Sequence, residues 1–264
     1  MNSIVKRATL GDVAKAAGLS PAAVSRYLNR SLPLPQATAA RIDAVVAALD
    51  YRPNRSARSL SRGRSDMIGL VIPDIANPFF SRLAAMVERE ANARGLTVML
   101  CTTANSLARE KRYVETLGPD TVDGVLFATN RADPDGSLAA AINGNNTVLV
   151  DEDVPGTEVS KVFCDNVAGG FLAGRHLAEA GHRAIAYVGG PAALMSAEER
   201  ASGLRMAARE AGPAVAIRAE LFGAYEVAHG SAAMARSLDE HPDPTARCPA
   251  SSLRAQACAT RSPL

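Results

Sequence analysis

Two hydrophobic periods divide the chain. Over the first fifty residues apolar positions recur at helical spacing, and from Met67 onward short continuous apolar runs alternate with amphipathic stretches. In the first region Leu10, Val13, Ala14 and Ala17 form one stripe. Thr9-Leu-Gly-Asp12 ahead of it reads as a capping box, and Gly18 supplies the left-handed residue that ends a helix. Ser20-Pro21 restarts the chain, serine as N-cap and proline at the first helical position, where its missing N–H has no partner to lose. Val24 and Leu28, four apart, face inward; Ala22, Ala23, Ser25, Arg26 and Asn29 are left on other faces. A third helix is predicted from Gln36 to Asp50, with Ile42, Val45, Val46 and Leu49 closing a small core.

Beyond Met67 the pattern predicts strands at 67–72, 96–101, 124–127, 147–150, 159–163 and 184–188. Helices are predicted between them at 80–94, 106–117, 167–180 and 198–211. Apolar strands alternating with amphipathic helices indicate a parallel, doubly wound α/β sheet covered on both faces. Ligands in such sheets bind beyond the carboxyl ends of the strands.

Charge sharpens the division. Residues 1–64 hold eleven Lys and Arg against three Asp, whereas the rest holds 18 basic and 24 acidic residues. A basic head on an acidic body points to an anionic partner for the head alone, although a charge run by itself is more often a solvated face. No apolar run is long enough to cross a bilayer and the N-terminus carries no secretory pattern, so a cytoplasmic, non-membrane protein is expected. The four cysteines (Cys101, Cys164, Cys248, Cys258) show no paired short spacing, which argues against zinc or a disulfide framework. An enzyme is disfavoured: no Gly-x-Gly-x-x-Gly follows the first strand, there is no Walker loop, and His176 and His182 are too far apart for an i, i+4 metal pair. No cofactor is expected.

Two short helices joined by a Gly-containing turn, the second basic and rich in small residues, describe a helix-turn-helix. Small side chains let the second helix enter the major groove closely, and Arg26 can reach a phosphate or a guanine edge. The same helices alone would equally suit an ordinary three-helix bundle. The string TLGDVAKAAGLSPAAVSRYLN, followed by ALDYRPNRSARSL, is very similar to the head of the lactose repressor/galactose repressor family, including its Tyr-x-Pro-Asn-x-x-Ala-x-x-Leu signature at Tyr51, Pro53, Asn54, Ala57 and Leu60. That resemblance implies a homodimer on double-stranded operator DNA. It puts Pro21 and Ala22 at base-reading positions and Ser20, Ser25, Arg26, Asn29 and Thr38 against the backbone or groove edge. The DNA-binding set also takes in Thr9, Leu10, Tyr51, Asn54 and Ala57. The Arg/Ser-rich segment 54–65 resembles the family's hinge helix, with Leu60 as a minor-groove wedge; by composition it is a flexible linker.

The body resembles the family's periplasmic-binding-protein-like domain through IGLVIPDIANPFF, VDGVLFA, CDNVAGGFLAGRHLAEAGHRAIAYVGGP and ERASGLRMA. It implies two lobes around a cleft for a small-molecule effector such as a sugar. Matched positions make Phe80, Asp151, Arg200 and Tyr225 the cleft candidates. Arg200 and Asp151 suit hydroxyls or carboxylates, and the aromatics an apolar face. Phe80 and Tyr225 read equally well as core residues, and Arg200 also as a surface charge. The expected organisation is a head at 1–53, a hinge at 54–65, lobe one at 66–161, lobe two at 162–246, and a tail at 247–264. The tail, RCPASSLRAQACATRSPL, shows no apolar strand where the family continues with one, so the second lobe is expected to be incomplete and the tail aberrant or disordered. A transcriptional regulator, most simply a repressor, is the leading reading. The alternatives are a truncated regulator that has lost effector response and a small-molecule-binding module with no role on DNA.

Overall fold

The computed structural model describes residues 8–29, 32–52, 63–241 and 243–249. The chain separates after Ser65 into two compact units. The first holds helices α1 (Leu10–Ala17), α2 (Pro21–Leu28) and α3 (Gln36–Ala48). At the start of α1 the capping box forms: the Thr9 hydroxyl accepts from the Asp12 amide, and the Asp12 carboxylate accepts from the Thr9 amide at 2.8 Å. Gly18 ends the helix in the left-handed region at φ 64°. Ser20 caps α2 by accepting from the Ala23 amide at 3.2 Å, with Pro21 opening the helix. Val13, Ala14, Ala17, Val24 and Ile42 form the buried centre, and Leu10, Leu28, Val45, Val46 and Tyr51 pack around it. Leu49 differs from expectation. The helix stops at Ala48, one residue short of it, and Leu49 is 38% exposed rather than part of the core.

The second unit begins with a five-stranded sheet in the order β2-β1-β3-β4-β5: β1 (Met67–Ile72), β2 (Thr97–Thr102), β3 (Gly124–Phe127), β4 (Thr147–Val150) and β5 (Ser160–Val162). All its pairings are parallel. Alternation along β1 builds both faces, since successive side chains point to opposite sides. Leu70 and Ile72 meet Phe80, Leu83, Ala84 and Val87 of α4 (Pro78–Ala93). Val71 joins the opposite core, with Val114 from α5 (Leu107–Thr116) and Leu138 and Ile142 from α6 (Ser137–Asn143).

A second parallel sheet, in the order β7-β6-β8, follows after Val162: β6 (Ala184–Gly189), β7 (Ala216–Phe222) and β8 (Ala246–Pro249). Its helices are α7 (Asn166–Glu179), α8 (Met195–Glu210) and α9 (Val227–Asp239). Helices α7 and α8 approach through glycines. A Cβ on Gly170 would fall 2.1 Å from the Arg200 carbonyl oxygen, and one on Gly203 would fall 2.0 Å from that of Val167. The backbones touch where these residues lack side chains.

Strand β8 corrects one expectation. The chain does not leave the fold at Arg247; it pairs in parallel with β6 from Ile185↔Ala246 to Val188↔Pro249. Ala246 is buried and Cys248 packs on the lobe-two core. Between them Arg247 turns to α9, where its guanidinium donates to the Ser237 hydroxyl at 3.0 Å and to the Ser237 and His241 carbonyls. A cation at a helix C-terminus satisfies carbonyls that have no intrahelical partner. An arginine at this position is therefore compatible with a strand that hydrophobic alternation does not announce. The tail beyond Pro249 lies outside the described residues.

Candidate functional site

In the head, capping and packing leave one polar face on α2. Ser20, Pro21, Ala22 and Arg26 are exposed, while Ser25, Asn29 and Thr38 are half-buried. Ala22 and Arg26 are four residues apart, so they share a face one turn apart. Proline and alanine at its start keep that end of the helix slim. Thr9 serves the α1 cap, and Leu10 and Tyr51 pack against the head core. These three residues thus have structural roles in the fold besides any on DNA. Asn54, Ala57 and Leu60 lie outside the described residues. A residue the sequence reasoning passed over is Tyr27, whose hydroxyl donates to the Asp43 carboxylate at 2.9 Å. The bond ties α2 to α3, and accepting it holds the phenol proton, so the Tyr27 pKa rises. Its only trace in the sequence is a polar tip on a residue otherwise packed as core.

In the body, three of the four cleft candidates come together at the carboxyl ends of strands. Asp151 directly follows β4 and holds a left-handed backbone at φ 74°. This conformation is uncommon for a residue with a side chain. Its Oδ1 is buried without a hydrogen-bond partner among the described residues. Burial pushes the carboxyl above the ordinary carboxylate range, and the Arg200 charge opposes that rise. Arg200, on α8, donates from Nε to Asn166 Oδ1 at 2.8 Å and from Nη1 to the Tyr225 hydroxyl at 3.5 Å. Tyr225 follows β7, with its ring against Gly190, where a Cβ would fall 2.1 Å from Cζ. Burial raises the Tyr225 pKa; the Ser196 hydroxyl and the Arg200 charge pull the other way.

Phe80 stands apart from this group. It is 2% exposed and packs with Leu70, Ile72 and Ala128. With Pro78 opening α4, positions 80, 83, 84 and 87 make the inward stripe, and Phe80 is its first member. The core reading of Phe80 is the one the structure gives. Phe79 meets its ring edge-on, with centroids 5.0 Å apart.

Sequence reasoning also missed Asn166, Glu152 and Ser196. Asn166 is buried at the start of α7; it orients Arg200 through Oδ1 and donates from Nδ2 to Glu199 at 3.3 Å. Asp165-Asn166 at a helix start is a capping signal, and that alone marks the position. Glu152 and Ser196 are each 2% exposed and bonded to each other. Nothing in the periodicity of the chain pairs them. The set combines two carboxyls, one guanidinium, one phenol hydroxyl and one amide, chemistry suited to a ligand with several hydroxyls. Among the described residues no cluster of three or more His, Cys, Asp or Glu could hold a metal ion, and no helix is long and apolar enough to cross a membrane.

Comparison with known proteins places both units. Residues 9–54 match the family described as bacterial regulatory proteins, lacI family. Residues 65–255 match the periplasmic binding proteins and sugar binding domain of the LacI family. The ribose operon repressor of Escherichia coli (strain K12) is 35% identical over 237 residues, which are 89% of this chain and 71% of that protein. The HTH-type transcriptional regulator DegA of Bacillus subtilis (strain 168) is 34% identical over 209 residues, 78% of this chain; the chain spans 62% of its length. Among solved structures, a lac repressor dimer bound to operator and the anti-inducer ONPF superposes with a TM-score of 0.78 at 27% identity. That likeness covers 92% of this chain and 74% of the other.

Proposed function

The chain belongs to the lacI family of bacterial regulatory proteins, and on that premise we propose that it is a dimeric repressor whose affinity for operator DNA is set by a polyhydroxylated small molecule. The observation that carries the ligand half is the group Asp151, Arg200 and Tyr225, with a buried carboxylate oxygen that has no hydrogen-bond partner among the described residues. A sugar hydroxyl offers the donor that this oxygen lacks, and a second hydroxyl can accept from Arg200. The exposed Ser20–Ala22 start of α2 supports the DNA half. Ser20, Pro21, Ala22, Ser25, Arg26, Asn29 and Thr38 form the duplex-facing set, and Asn54, Ala57 and Leu60 extend it along the hinge. The head spans 1–53, the hinge 54–65, and the effector lobes meet near residue 162.

Selection from a pool of randomised duplexes tests this reading. The full chain should enrich a two-fold symmetric site and bind it with an affinity that falls steeply with salt, as phosphate contacts release counterions. Arg26→Ala should weaken binding to the selected duplex by about 1–3 kcal/mol. Enrichment of no symmetric site, or binding indifferent to salt, would remove the DNA half of the reading.

A further inference from the structure

We propose that Glu152 is an interlobe latch: a lobe-one carboxylate that caps α8 of lobe two and thereby positions the helix turn carrying Arg200. Glu152 lies in the connection between β4 and β5, whereas Ser196 is the second residue of α8. The Ser196 amide donates to both Glu152 oxygens at 3.3 Å, and its hydroxyl donates to Oε2 at 2.5 Å. Glu152 Oε1 also accepts from the Asp153 amide at 3.2 Å, which fixes the carboxylate on the lobe-one side.

The helix needs this cap. Its N-cap residue is Leu194, which has no side-chain oxygen, and no side-chain cap bond forms there. The first amides of a helix lack intrahelical partners and favour an anion. Here that anion comes from the other lobe, and it is almost fully buried. Arg200 is four residues after Ser196, one turn along the same face. The Tyr187 hydroxyl donates to the Ala197 carbonyl at 3.0 Å and holds the same turn to β6. Asp151, whose carboxyl feels the Arg200 charge, is the residue before Glu152. One short segment of lobe one therefore carries both the cleft carboxylate and the cap of the helix that presents the cleft cation. Separating the lobes breaks the Glu152–Ser196 bonds and uncaps α8. The latch itself stands on these contacts; only its regulatory meaning rests on the reading of the cleft as an effector site.

Hydrogen exchange followed by mass spectrometry on the full chain, without DNA or ligand, tests the latch separately from that reading. Glu152→Ala should speed exchange about tenfold or more in residues 195–199, as expected for losing hydrogen bonds to a charged group. It should also speed exchange in the lobe-crossing segment 151–166, while β1 at 67–72 stays unchanged. Ser196→Ala keeps the amide bonds and loses the hydroxyl's bond to Glu152 together with its contact with Tyr225, so it should move the same two segments by a smaller factor. The double variant should be no more open than Glu152→Ala alone, because the two residues share one contact. Wild-type exchange in both single variants overturns the proposal. So does a rise confined to 195–199, which would make Glu152 a local cap and no more, or fully additive effects in the double variant.

Discussion

The two lobes of the body use one architecture with opposite packing logic. Lobe one is filled by large side chains from β1, β3 and β4 and the helices against them, with Phe127, Leu138, Ile142 and Leu149 fully buried in one cluster. Lobe two has three described strands, and its helices α7 and α8 meet backbone to backbone at Gly170 and Gly203. The Phe127 cluster of lobe one is therefore sensitive to atoms removed, and the α7–α8 contact of lobe two to atoms added. Arg200 sits on this helix pair, its helix held close to α7 by main-chain contact and its guanidinium oriented by the Asn166 side chain.

Three substitutions can break or sharpen that contrast. The largest effect should come from Phe127→Ala, which empties a fully buried site and should destabilise lobe one by about 3–5 kcal/mol. Urea unfolding read by exchange in 67–72 and 124–127 measures it. Gly203→Ala should cost lobe two about 1–3 kcal/mol. The added carbon meets a main-chain oxygen that cannot rotate away, which outweighs alanine's better helix propensity. Exchange in α7 and α8 should rise while β1 is unaffected, and a neutral result would show that the helix pair has slack.

The smallest effect concerns Glu110, the fully buried carboxyl of α5. It accepts from the Thr129 hydroxyl at 2.8 Å, and its second oxygen has no partner among the described residues. Burial raises its pKa, and the Thr129 bond and the Arg131 charge oppose that rise. The folded state thus holds this proton more tightly than the unfolded state does. Its contribution to stability falls as pH rises from the ordinary glutamate value to the raised one. Glu110→Gln should flatten that part of the pH–stability curve and change stability at neutral pH by no more than about 1 kcal/mol. An unchanged curve would mean that burial costs this group nothing.

Much of this was legible in the sequence where a local rule operates. Capping chemistry marked α1 and α2 through Thr9, Asp12, Gly18, Ser20 and Pro21, and continuous apolar runs marked β1, β3, β4 and β6. The misses lie where no local apolar period operates. Strand β7 carries Arg218 and Glu220 between its apolar positions. Glu220 is held by Arg205 of α8, which also pairs with Glu198 at 2.6 Å, so polar residues sit in a strand that shows no clean alternation. Strand β8 depends on Arg247 finding the end of α9. Helix α6 is a single short segment whose buried Leu138, Ala139 and Ile142 are too few to set a period. Of the group at the strand ends, Asp151 and Arg200 were named as cleft candidates by position, whereas Glu152 and Ser196 are polar residues whose contact appears only when 44 positions of separation close.

The central claim is that the DNA-binding head answers to the cleft, and one titration tests it most directly. Binding of the full chain to its selected duplex is followed by fluorescence anisotropy while pentoses, hexoses and their phosphates are added in turn, for wild type and for Arg200→Ala. The account predicts that at least one of these compounds shifts duplex affinity of the wild type by about fivefold or more, within the usual range of allosteric coupling. It predicts that Arg200→Ala binds the bare duplex as tightly but loses the shift. A shift that survives intact in Arg200→Ala, or a duplex affinity that no compound moves, would contradict it.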